Sequence, residues 1–291
     1  MAIAVPRAEA ASVVVNYDYS AGATGPSTGI FSQSNPTGLD VLPSDTGPDG
    51  SSIFGHHYGY DNGVFGTRSS GSGNFEKLGD VLWSNTYTNQ SATPQAMTGS
   101  FLIDSGTVTM WMPDTTGSVN AVIFAQIEVN GELKFFSAAG MDMSDGGTPS
   151  FQTAGTVLNP GGQSLSPGFG SYSWGSYLGT VDLGTLAPGQ SVTVEYLLAS
   201  YVIGSLAGCG GGYGDYGGLT VGNGDYGGYG GGLNCGSSYG EARIGDPFNV
   251  PEGGSQFTVN FSEVTTPEPA SALVLGAGLA ALAFRRRRQA A

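Results

Sequence analysis

Charge is scarce in this chain, and positive charge is scarcest. Asp, Glu, Lys and Arg make up 11% of 291 residues, against about 25% in an ordinary soluble domain. Nine residues are basic and 23 acidic, and four of the nine, Arg285 to Arg288, crowd the C-terminus. Residues 1 to 263 therefore hold 22 acidic groups against only Arg7, Arg68, Lys77, Lys134 and Arg243, a net charge near −17. Such a potential repels phosphate backbones and anionic lipid, which excludes a nucleic-acid partner. Histidine is limited to the adjacent pair His56-His57. Neighbours on a strand point to opposite faces, so these two cannot ligate one metal there. A Gly-x-Ser-x-Gly nucleophile elbow is missing, since Gly71-Ser72-Gly73 is too short. No Gly-Lys-Ser/Thr follows any glycine cluster, which excludes a phosphate loop. Paired carboxylates for glycoside hydrolysis cannot be singled out among so many acids. No catalytic residue and no cofactor are implied.

Glycine, by contrast, is abundant: 51 residues, more than twice the usual share. The 39% of apolar residues is still enough for a core. Before the C-terminal tail no amphipathic helix of normal length can be drawn, and short β patterns alternate with Gly, Pro, Asn and Asp. Strands are expected at Ser12 to Tyr19, Ser100 to Met112 (stopped by Pro113), Ser173 to Leu183, Ser191 to Ile203 and Ser255 to Ser262. Ala121 to Val129, Asn130-Gly131 and Glu132 to Ser137 read as a hairpin, because Asn-Gly supplies the positive φ angles of a type I′ turn. The Gly/Pro/Ser/Asp stretch from Ala21 to Ser52 reads mostly as loop. About nine strands in all predict an all-β fold, an antiparallel β-sandwich of jelly-roll type, over residues 12–263. Trp83, Trp111 and Trp174 are expected in its core.

Cys209 and Cys235 bracket 25 residues of which 13 are glycine, within a Gly/Tyr-rich insertion at 208–236. A disulfide between them would restrict the unfolded ensemble by about 3 kcal/mol in the chain-entropy model and suits an oxidising compartment. Tyr213, Tyr216, Tyr226 and Tyr229 in this insertion could stack on sugar rings, although a low-complexity insertion without a ligand is the simpler reading. Asp40, Asp45, Asp49 and Asp61 lie in a Gly/Ser/Asn-rich stretch, and Asp142 and Asp145 flank Met143-Ser144. Oxygen ligands of this kind suit calcium, but EF-hand spacing is absent, and a solvated acidic surface explains them equally.

The termini concern destination. Residues 1–11 contain no apolar signal core, yet Ala8-Glu9-Ala10 has the shape of a cleavage site. The expectation is that they are the remnant of a signal peptide. At the other end, Pro267-Glu268-Pro269 precedes an apolar run from Ala270 to Phe284 and then Arg285-Arg286-Arg287-Arg288. Fifteen helical residues span about 22 Å, short of a roughly 30 Å hydrocarbon core unless the bilayer thins or the arginines snorkel. The arginines are a positive-inside signal, which places the C-terminus in the cytoplasm.

This tail, residues 264–291, resembles the PEP-CTERM sorting signal of Gram-negative bacteria. The resemblance implies that an exosortase, an integral-membrane cysteine protease, recognises Pro267, Glu268 and Pro269 and removes the tail. The passenger then reaches the envelope or extracellular matrix, usually in exopolysaccharide-producing species. A softer resemblance covers Phe54-Gly55-His56-His57-Tyr58-Gly59, Phe65 to Phe75 and Asn85 to Thr93, which look like parts of a group of exosortase-dependent surface proteins. That group carries no enzymatic chemistry to this chain. The expectation is thus a non-enzymatic, exported structural or adhesive surface protein associated with exopolysaccharide, held transiently by one transmembrane helix at 270–284. The alternatives are a calcium-assisted carbohydrate-binding module and, more distantly, a secreted glycoside hydrolase.

Overall fold

The computed structural model describes residues 7–8, 11–23, 25–112, 116–158, 160–206, 238–245 and 256–263. Nineteen strands occupy them: β1 (Arg7–Ala8), β2 (Ser12–Ala21), β3 (Ser27–Asn35), β4 (Gly38–Val41), β5 (Ser44–Thr46), β6 (Ser52–Tyr60), β7 (Phe65–Ser72), β8 (Phe75–Thr88), β9 (Gln95–Ile103) and β10 (Gly106–Trp111), followed by β11 (Gly117–Val129), β12 (Glu132–Ser144), β13 (Ser150–Gly155), β14 (Pro160–Ser166), β15 (Phe169–Trp174), β16 (Tyr177–Leu186), β17 (Ser191–Leu206), β18 (Tyr239–Ile244) and β19 (Gln256–Glu263). All pairings are antiparallel.

The first sheet runs β13-β12-β11-β17-β8-β2-β3, with β1 also on β8. The second runs β14-β15-β10-β18-β7-β6-β4, with β5 also on β6. Strands adjacent in sequence, such as β7 and β8 or β10 and β11, lie in opposite sheets at matching positions, so the two sheets stack face to face. A third, smaller sheet is ordered β16-β9-β19. It shares the inner face of the first sheet with the second, because strands as long as β17, 16 residues or about 54 Å, can be covered twice. Fully buried Tyr196 stands where the coverings meet, edge-on to Phe65 of the second sheet at 4.5 Å and to Phe101 of the third at 6.1 Å. Trp83 meets Phe257 of the third sheet at 5.5 Å.

The expected hairpin is present as β11 and β12, with φ of 52° at Asn130 and 77° at Gly131. Other expectations need correction. About nine strands become nineteen among the described residues. The stretch read as loop from Ala21 to Ser52 contributes β3, β4 and β5, held by pairing with β2 and β6 rather than by their own apolar pattern. The single strand expected from Ser100 to Met112 breaks at Asp104-Ser105, so that β9 enters the third sheet and β10 the second. Ser173 to Leu183 divides likewise between β15 and β16. Trp83 and Trp174 are core residues at 2% exposure, whereas Trp111 is only half-buried and faces outward. The apolar run 270–284 lies outside the described residues. Among those described, no helix is long and apolar enough to cross a membrane.

The glycines find a common use inside this architecture. Several of them stand directly opposite an aromatic residue on the neighbouring strand, among them Gly29 and Tyr19, Gly66 and Tyr58, Gly106 and Trp174, Gly179 and Phe101, Gly204 and Phe75. A Cβ on any of these glycines would come within 2.0–2.8 Å of its partner's ring. Each ring therefore lies flat across the backbone opposite, in space that any other residue would fill. Phe75 uses this room twice, because a Cβ on Gly71 would stand 2.3 Å from the same ring.

Gly204→Ala should consequently cost about 1–3 kcal/mol through overpacking. Gly175→Ala, with nothing within 4 Å of the new Cβ, should change stability by less than about 0.5 kcal/mol. Urea unfolding of the two variants checks this, and equal effects would contradict the packing role.

Candidate functional site

Strand alternation divides the chemistry of the second sheet between its two faces. His57 points inward and His56 outward, as the period of two requires. Inside, His57 Nδ1 is 2.7 Å from Thr67 Oγ1, and Thr67 Oγ1 is 2.9 Å from Ser200 Oγ on the facing sheet. Ser200 Oγ also meets Ser69 Oγ at 2.9 Å, and Ser69 donates to the Ser200 carbonyl at 3.1 Å. Lys77, fully buried, sets its ammonium 4.2 Å from the centre of the Tyr17 ring and 5.7 Å from that of Tyr19. A Cβ on Gly55 would stand 2.6 Å from Lys77 Cε and 2.7 Å from His57 Nε2, so these side chains converge over a glycine. Among the described residues neither His57 Nε2 nor Lys77 Nζ has a hydrogen-bond partner. Burial, then the nearby Lys77 and His56 charges, pushes His57 well below its usual value, so it is neutral. Burial also lowers Lys77 from 10.5 to about 7, with Asp18 opposing.

A histidine beside a chain of hydroxyls suggests nucleophile activation. Its 0% exposure and that of Thr67 and Ser200 argue otherwise, and the group ties the two sheets together by hydrogen bonds. Lys77 escaped the sequence reading because lysine is presumed exposed. Its position in the alternation Phe75, Lys77, Gly79, Val81, Trp83 was the available signal.

The outer face carries a second set of polar groups, of which Arg243 is more exposed than Arg68 and His56 is buried. Across adjacent strands His56, Arg68, Arg243, Thr107 and Ser173 form one row by direct pairing. Arg68 Nη2 donates to Glu241 Oε2 at 2.8 Å and packs over the Phe54 ring at 5.2 Å. The Tyr239 hydroxyl donates to the same Glu241 oxygen, and burial, then that carboxylate, pushes the phenol upward. Arg243 Nε donates to Thr107 Oγ1 at 3.0 Å and lies 3.7 Å from Glu241 Oε1. Beside Arg243 is a cleft of about 240 Å³ whose walls include Ser105, Thr107, Ser173, Trp174 and Gly245. Further along the same face Tyr239, Trp111 and Phe169 form a second, aromatic row. At the far edge Asp40 accepts from Tyr60 at 3.4 Å and meets His56 Nε2 at 2.8 Å.

The aspartates considered for calcium are dispersed. Asp40 serves His56 and Tyr60. Asp45 bonds Ser27, the Thr46 amide and Tyr19, which together hold it below the usual carboxylate range. Burial raises Asp49, but the Ala23 amide together with Ser51 and Asn74 outweigh it and leave it lowered. Asp61 is exposed in the turn after β6. Asp145 accepts from the Gly117 amide at 2.9 Å. Among the described residues no three of His, Cys, Asp or Glu stand together as metal ligands. Cys209, Cys235 and the insertion tyrosines lie outside the described residues, as do Pro267, Glu268, Pro269 and Arg285 to Arg288.

The tail is settled by comparison instead. Residues 265–288 match the family model of the PEP-CTERM protein-sorting motif. The chain carries a PEP-CTERM sorting motif. Such a motif implies export to the cell envelope, exosortase processing and a membrane-anchoring C-terminal tail. None of the curated proteins matches the chain.

Lys77 generates a pH prediction. Its folded value near 7 lies below the unfolded 10.5, so between these values the unfolded chain binds the extra proton. Stability then rises with pH across that window, by roughly 1.4 kcal/mol per unit at most, and is lowest below pH 7. Tyr87 and Tyr201, pushed up to about 12 chiefly by burial, reverse the trend above pH 10. Denaturant unfolding at pH 7, 8.5 and 10 should show the rise in the wild type and lose most of it in Lys77→Met. An identical rise in the variant would remove Lys77 as its source.

Proposed function

We propose that the chain is an exported, exosortase-processed component of the cell surface or extracellular matrix, with a structural or adhesive role and no catalysis, associated with exopolysaccharide. The observation that carries this reading is the sorting motif at 265–288. In the proposed orientation Arg285 to Arg288 stop in the cytoplasm, the run 270–284 spans the membrane, and Pro267-Glu268-Pro269 stands outside it. Proline fixes φ and disfavours helix before it, which keeps that motif extended for a protease. The strongly acidic body is consistent with solubility beyond the membrane. The Cys209–Cys235 disulfide belongs to the same proposal, since an oxidising compartment would form it.

A second reading, a carbohydrate-binding module, is favoured by the cleft at Arg243 and the aromatic row beside it. Its calcium-assisted form has less support, because Asp40, Asp45 and Asp49 are engaged by separate partners within the protein.

In the native host, deletion of Pro267–Pro269 should leave an uncleaved form in the inner membrane. Replacing Arg285 to Arg288 with Gln should lead to slippage or missorting. Fractionation and immunoblotting read both, and unchanged processing of either variant would count against the assignment.

A further inference from the structure

We propose that Arg243 and the cleft beside it bind the carboxylate of an acidic sugar, a uronate unit of an extracellular polysaccharide. The inference rests on the surface-associated reading above and names the ligand class that reading leaves open.

Arg68 and Arg243, two of the five cations that precede the tail, are direct cross-strand neighbours on one exposed face. Like charges opposite each other on a sheet are destabilising, and among the described residues Glu241 is the carboxylate that stands between them. That carboxylate is committed to Arg68 at 2.8 Å and to the Tyr239 hydroxyl, and only approaches Arg243 Nε at 3.7 Å. Of the other described cations, Lys134 is paired with Glu132 at 2.7 Å and Lys77 is buried. Arg243 is different. Its Nε is fixed by Thr107, and its two terminal nitrogens have no hydrogen-bond partner among the described residues. A guanidinium held by one nitrogen with its terminal donors free is pre-organised for a two-pronged carboxylate.

The surroundings suit a sugar rather than a bare anion. Ser105, Thr107 and Ser173 bring hydroxyls to the cleft, which can exchange hydrogen bonds with ring hydroxyls. The nearby Asp104 carboxylate is itself engaged, accepting from the Ser105 amide at 2.7 Å and Ser176 Oγ at 2.9 Å. On the same three strands, four residues away or about 13 Å, lie Tyr239, Trp111 and Phe169. The half-buried Trp111 and Phe169 offer apolar surface to a later sugar of the same chain. A cationic cleft and an aromatic row in line across one sheet describe a site for a polymer.

The test uses the full chain in mild detergent, with polygalacturonate as probe. Dextran supplies a neutral polymer, dextran sulfate a different anion and polyglutamate a carboxylate without sugar. The wild type should bind polygalacturonate at about 0.15 M salt, where the repulsion from the acidic body is screened beyond about 8 Å, and dextran and polyglutamate poorly. Arg243→Gln should weaken polygalacturonate binding at least tenfold, and Lys134→Gln should leave it unchanged. Arg243→Lys, which keeps the charge and loses the fork, should lie between, and an unaltered unfolding midpoint shows that each variant is folded. Equal binding by wild type and Arg243→Gln overturns the proposal, as does no binding to polygalacturonate. Equal affinity for polyglutamate or dextran sulfate overturns its sugar or carboxylate part. A chain that is sorted normally but ignores polygalacturonate defeats this inference alone; one that binds but stays in the cytosol defeats the surface reading alone.

Discussion

The structure depends on aromatic rings lying across glycines that face them in register. Phe75 over Gly204, Trp174 over Gly106 and Phe101 over Gly179 occur in all three sheets. Each arrangement lets a large side chain bury its area without forcing the sheets apart, at positions where even a methyl group would collide. A chain with so many glycines would ordinarily lose too much backbone entropy to hold strands. Here the missing side chain is replaced by the neighbour's ring, so the apolar burial is regained and the register is fixed in the same step. A one-residue slip would set each ring against a residue with a Cβ and reverse every face.

The same alternation decides which polar groups are available for recognition. Lys77, His57, Thr67, Ser69 and Ser200 face inward and are sealed between the two large sheets. Their contribution is to the specificity of sheet stacking, and the unpaired nitrogens of Lys77 and His57 make that contribution dependent on pH. Arg68, Glu241, Arg243 and Trp111 lie on the other side of the second sheet. One strand, β6, thus carries two buried histidines that face opposite sides of the second sheet in consecutive positions. A chain with so few cations places two of them, Arg68 and Arg243, together on this outer face despite its overall acidity.

Much of the architecture was legible from residue patterns. Asn130-Gly131 between alternating segments announced the hairpin, and Val192, Val194, Tyr196 and Leu198 announced β17. The strands in the 21–52 stretch were hidden because residues such as Ser27, Ser34 and Ser44 have no apolar alternation; their order comes from partners distant in sequence. The breaks at Asp104 and Gly175 were equally hidden, since a strand that changes sheets keeps its period of two on both sides. Arg243 and Trp111 could not be brought together by reading along the chain, because only the pairing of β10 with β18 makes them share a face. The tail was the reverse case: Pro267-Glu268-Pro269, an apolar run and four arginines are local signals that require no fold to be read.

The central claim is that this acidic β-sheet body works beyond the cytoplasmic membrane after losing its C-terminal tag. Intact-mass spectrometry on protein recovered from the native host addresses it directly. The account predicts an envelope or extracellular species lacking the residues that follow the Pro-Glu-Pro motif, with Cys209 and Cys235 oxidised. A full-length, reduced species among the cytosolic proteins would contradict it.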